Sequence, residues 1–145
     1  SLTNIFDIAG SGMAAQTVRL NTVSSNIANA ESVSSSEGGT YRARHPVFSV
    51  IKQQIDAMGA ISQADGLSAG AGVQVDGIVE SQAPLKKQYE PDHPMADDQG
   101  YVFYPNVNVV EEMADMISAS RSFQTNVEML NTAKQMMQRI LTLGQ

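Results

Sequence analysis

Both ends of this chain obey one constraint: apolar residues spaced alternately four and three apart through several heptads. At the start these are Leu2, Phe6, Ala9, Met13, Gln16, Leu20, Val23, Ile27 and Ala30, with a single polar member. Toward the end, Val109, Met113, Met116, Ser120, Phe123, Val127, Leu130, Lys134, Met137 and Leu141 repeat the spacing. Alternating steps of four and three keep a stripe on one side of a helix and suit no strand. The expectation is two long helices that pack against helices, the first about 40 Å long at 1.5 Å per residue. Lys134 interrupts the second stripe, where Ala133, Met136, Ile140 and Leu143 offer an alternative.

Local signals frame the second helix. Asn108 reads as its N-cap, with Glu111 three residues on as a capping-box partner and Pro105 upstream. Glu111, Glu112 and Asp115 lie near its start and Lys134 and Arg139 near its end, as the helix dipole prefers. Gly144 closes it.

The middle of the chain follows a different pattern. "ESVSSSEGGT" is a Ser/Gly boundary, while "YRARHPVFSVI" and "GVQVDGIVES" carry β-branched residues in partial alternation and read as strands. Pro46 places the first of these at an edge or a bulge. "IDAMGAISQADGLSAGAG" reads as a mobile loop, and "PLKKQYEPDHPMADDQGYVFYP" as a strand, a Pro-bracketed turn and a short strand at residues 101–104. The fold class expected is α+β. Two long terminal helices (residues 1–30 and 106–145) pair as an antiparallel hairpin or coiled coil around a small β-rich insert at residues 31–105.

Charge is scarce where a solvated helix would need it. Charged residues make up 17% of the 145-residue chain, and the first thirty positions hold only Asp7 and Arg19. The side away from the stripe carries Ile5, Ile8, Gly12, Ala15 and Val18. Gly10 and Gly12 each cost a helix about 1 kcal/mol relative to Ala, which close backbone approach would offset. The reading is a helix sheltered by other helices, most of them from other chains. The plainer alternative is a two-helix hairpin capping its own β region.

Composition excludes several functions. A net charge of −6 with no Lys/Arg run argues against nucleic-acid binding, and no apolar run approaches a membrane span. The absence of cysteine removes disulfides, cysteine metal sites and Cys–His catalysis. The opening "SLTNIFDIAGSGM" lacks the basic and apolar regions of a Sec signal, leaving cytoplasmic residence or export without cleavage. Residues 90–98 gather Glu90, Asp92, His93, Asp97 and Asp98, but the spacing fits neither an EF-hand nor a zincin. That loop reads as a solvated acidic turn, and no catalytic residue, cofactor site or metal ligand is assigned. Two other functions stay on the table, a cytoplasmic coiled-coil adaptor and a metal binder using residues 90–98.

The residues also resemble a known family. "NIFDIAGSGMAAQTVRLNTVSSNIANAES" is similar to the N-terminal signature of bacterial flagellar rod and hook proteins, whose motif falls on Ser25, Asn26, Ile27, Ala28, Asn29 and Ala30. The D-H-P, G-Y-V and P-N-V-N segments (Asp92, His93 and Pro94; Gly100, Tyr101 and Val102; Pro105, Asn106, Val107 and Asn108) resemble proximal rod proteins of the basal body. This resemblance implies a non-enzymatic subunit that polymerises with itself and other rod proteins into a torque-transmitting shaft around an export channel. It implies export by the flagellar type III system without signal cleavage, a place in the periplasm-spanning rod, contact with the MS-ring and export-apparatus junction, and no insertion into membrane. The expected assembly interface is Leu2, Phe6, Met13, Leu20, Val23 and Ile27 with Val109, Met113, Met116, Phe123, Val127, Leu130, Met137 and Leu141.

Overall fold

A computed structural model describes residues 2–52 and 70–144. Helix α1 spans Leu2–Ala28 and helix α2 spans Val109–Leu143. Between them come strands β1 (Arg44–Lys52), β2 (Gly70–Glu80), β3 (Lys86–Tyr89) and β4 (Tyr101–Tyr104). The strands form two separate antiparallel ribbons, β1–β2 and β3–β4. The chain is thus α+β, with two long helices and a small antiparallel insert, and all four strands fall where alternation and turn residues place them. Most of the stretch read as a mobile loop lies outside the described residues. Its last residues, from Gly70, open β2.

The two helices run antiparallel side by side. Arg19 of α1 donates to Asp115 of α2, and the site a Cβ on Gly12 would occupy meets the Asn126 amide at 2.9 Å. Gly12 therefore allows the close backbone approach that its propensity cost suggests. Gly10 has no neighbour of this kind, and nothing in the structure explains it.

The centre of the seam lies one residue from the expected stripe on α2, while on α1 Ala9 and Val23 stay on the stripe. On α2 the buried positions are Glu112, Ala119 and Ala133, with Asn126 against Gly12. Met113 stays 52% exposed, and Lys134 lies outside the seam. On α1, Gly12 and Arg19 meet α2, flanked by half-buried Met13 and Leu20. Small residues win the centre because they let the backbones approach; the bulky ones predicted there then flank the contact or face out. Ala9 and Val23 keep their expected burial, while Met116, Phe123 and Leu130, like Leu2, Phe6, Ile27, Val109 and Val127, are half-buried.

The uncharged second face of α1 is partly covered by its own chain. Ribbon β1–β2 lies against α1, with Ser11 Oγ accepting from Val73 N–H at 3.0 Å. Ala15 and Thr22 are buried. Gly72 adopts φ +141°, and a Cβ there would collide with Ser11 Oγ, so only glycine lets the ribbon lie this close. The chain's own ribbon thus supplies part of the cover, and Ile8 remains 39% exposed.

The caps follow the sequence in part. Asn108 Oδ1 accepts from Val110 and Glu111 N–H, and Gly144 N–H donates to Ile140 C=O. Glu111 makes no return bond to Asn108 N–H, so the expected capping box is one-sided. The Ser/Gly boundary is more ordered than its composition suggests. Ser34 and Phe103 exchange two backbone hydrogen bonds, and a single 3-10 turn at Glu37–Gly39 follows.

Candidate functional site

Two features distinguish the surface and interior: a hydrogen-bonded junction at one end of the helix pair, and exposed apolar side chains near both ends of α2 that no described residue covers. The junction is built on two asparagines from the motifs. Asn26, in the last turns of α1, is 0% exposed. Its Oδ1 accepts from Tyr41 OH at 2.7 Å and from Arg44 N–H at 2.9 Å, while its Nδ2 donates to Arg44 C=O at 2.8 Å. Asn106, just before α2, mirrors this arrangement. Its Oδ1 accepts from Ala43 N–H at 2.8 Å, and its Nδ2 donates to the carbonyls of Ser81 and Ala83.

The segment entering β1 is therefore held from both sides. Adjacent backbone groups of Ala43 and Arg44 bond to opposite helix ends, which an extended chain allows because successive amides point in opposite directions. Asparagine suits both places because one side chain supplies an acceptor and donors together. Ala30, Ala43 and Val107 form the apolar core beside it, with Tyr41 and Val109 packed around. Ser25 Oγ shares a hydrogen bond with Tyr41 OH, and Asn29 Nδ2 donates to Ser25 C=O where α1 ends without glycine. Pro105 is fully buried there. Ser25, Asn26, Asn29 and Ala30 thus meet Pro105, Asn106 and Val107, motif residues that lie 75 to 82 positions apart across the insert.

The other motif segment forms the β3–β4 turn. His93 Nδ1 accepts from Met95 N–H, and Asp97 Oδ1 accepts from Gln99 and Tyr101 N–H. Asp92 and Pro94 are exposed, while Gly100 is buried at the turn's end. These side chains order the turn, which is the physical use of Asp and Pro in such a place. Among the described residues no group of three His, Asp or Glu is placed to hold a metal ion.

The second feature is α2's exposed side. Val110, Met113 and Ile117 stand three and four residues apart and are 75%, 52% and 56% exposed. Past Ala133, which is buried, Met136, Ile140, Leu141 and Leu143 are all more than half or fully half exposed, reaching 87% at Leu143. Counting back from the Gly12–Asn126 contact brings Leu2 level with about residue 136, so the last turns of α2 run past the start of α1. Of the expected interface, Met113 and Leu141 belong to this exposed set, and Met137 is 39% exposed. Among the described residues no helix is long and apolar enough to cross a membrane.

Comparison with known proteins gives matches at both ends and along the whole chain. The family "Flagella basal body rod protein" matches residues 6–33, and "Flagellar basal body rod FlgEFG protein C-terminal" matches residues 98–143. The chain is similar to the flagellar basal-body rod protein FlgC of Salmonella typhimurium, 54% identical over 145 residues covering 100% of this chain and 99% of that protein. The protein of the same name from Yersinia enterocolitica is 49% identical with the same coverage. That from Borreliella burgdorferi is 37% identical over 149 residues, covering 99% of this chain and 98% of the relative.

Proposed function

We propose that this chain, which belongs to the flagellar basal-body rod protein family and is a structural rather than an enzymatic subunit, polymerises through its paired terminal helices. The observation that carries this reading is the exposed apolar side of α2. Val110, Met113 and Ile117 near its start and Met136, Ile140 and Leu143 near its end are each half exposed or more, and clustered exposed apolar side chains mark interaction sites. Neighbouring subunits of itself and of related rod proteins cover this side. The helices act as an antiparallel coiled coil forming the inner wall around an export channel, and the β-rich insert lies outside. Residues 1–30 and 106–145 are then the axial domain, and residues 31–105 the inserted one.

In this reading the mechanism is mechanical. Torque passes through many small non-covalent contacts, each weak and together stiff. The Asn26–Asn106 junction holds the insert at a set orientation to the helices, because three hydrogen bonds at each asparagine leave little freedom to swing. The subunit belongs to the proximal, periplasm-spanning part of the rod, near the MS ring and export apparatus, and arrives by type III export without a cleaved signal. The relatives' names support a place in the basal-body rod, and the finer placement rests on the motif resemblance alone.

The test separates folding from assembly. Ile117→Asp puts a charge on the exposed face, so the purified chain should keep its unfolding midpoint. In cells, the variant should fail to enter the envelope-associated rod and should abolish swimming. Normal swimming with normal rod incorporation would remove this face from the interface.

A further inference from the structure

Glu112 departs from the pattern of the helix seam. It stands in the first turn of α2, on the heptad line continued by Ala119, Asn126 and Ala133, and is 6% exposed. Its Oε2 is buried and has no hydrogen-bond partner among the described residues. The one basic residue of α1, Arg19, is already engaged by Asp115, Ser118 and Gln16. Asp7, the other charge on α1, lies toward the far end of the pair. Meanwhile Val110 and Met113, which would fill a buried place without cost, sit outside at 75% and 52% exposure.

Transfer free energies favour the opposite arrangement. A carboxylate oxygen removed from water without a donor disfavours whichever state buries it. The helix dipole favours an acid in this turn, but exposed Glu111 already satisfies that preference. Burial of Glu112 therefore works against closure of the seam at the end where the junction is otherwise well bonded.

We propose that Glu112 is a built-in brake on helix pairing, which lets the first turns of α2 and the last turns of α1 open and reclose in the free subunit. The brake is a property of the isolated chain and stands whether or not the helices carry the polymer contacts. Removing the carboxylate releases it.

The experiment uses the whole chain with Glu112→Met and Glu112→Gln, thermal unfolding followed by circular dichroism, and amide hydrogen exchange. Glu112→Met should raise the midpoint by about 3–6 °C, and Glu112→Gln by less. Exchange of the amides of Val23, Ser25 and Ile27 should slow at least tenfold in the methionine variant. Met113→Glu, a carboxylate at the exposed neighbouring position, should leave the midpoint unchanged. If methionine proves too large for the site, a rise with glutamine alone still supports the brake. Midpoints at or below the parent in both variants would overturn it, as would stabilisation with unchanged exchange at those three amides.

Discussion

The two ends of the helix pair are built on different principles. At the junction end, Asn26, Val102 and Pro105 are completely enclosed, and polar groups satisfy one another across α1, the insert and the approach to α2. At the far end, Ala133 is the last buried residue of α2, and the turns beyond it expose methionine, isoleucine and leucine. The junction holds position through directional bonds among groups already paired. The far end offers area with nothing described to cover it, and non-directional apolar contact gains free energy only once a neighbour arrives. One molecule thus combines a finished end and an unfinished one.

Mutations should separate these ends by magnitude. The largest effect is expected at Asn26→Ala, which leaves the Arg44 N–H and C=O and the Tyr41 hydroxyl without their partner; a loss of about 3 kcal/mol in urea unfolding follows from unmet buried groups. A loss below 1 kcal/mol would mean the junction does not hold the fold. Between the ends, Ala119→Leu should cost about 2 kcal/mol by forcing apart helices that meet through small side chains. Were that variant as stable as the parent, the seam would be looser than its alanines indicate. Smallest is Leu141→Ser at the far end, expected to change the isolated chain by less than about 0.5 kcal/mol. A larger loss would show that the last turns of α2 are already packed in the free subunit.

Legibility in the sequence follows the same division. The strands at Arg44–Lys52 and Tyr101–Tyr104, the Asn108 cap and both helices could be read because each depends on neighbours within a few residues. The α2 seam lies one residue from its heptad stripe, since an apolar scale ranks Met113 and Val127 above Ala119 and Asn126. Gly12 signals close approach locally through its cost to the helix, but nothing local reports that Ala119 lets two backbones close in. Asn26 and Asn106 were visible only as members of motifs. Their shared task could not be read, because the backbone they clamp is supplied from elsewhere in the chain.

By itself, then, the order of residues determined the elements and their period, because propensity, capping and heptad spacing act over one or two turns. Which face became the seam, which asparagines became the clamp and which carboxylate was buried were decided only when α1, α2 and ribbon β1–β2 came together. Those outcomes depend on how closely backbones separated by many residues can approach, a quantity that exists only in three dimensions.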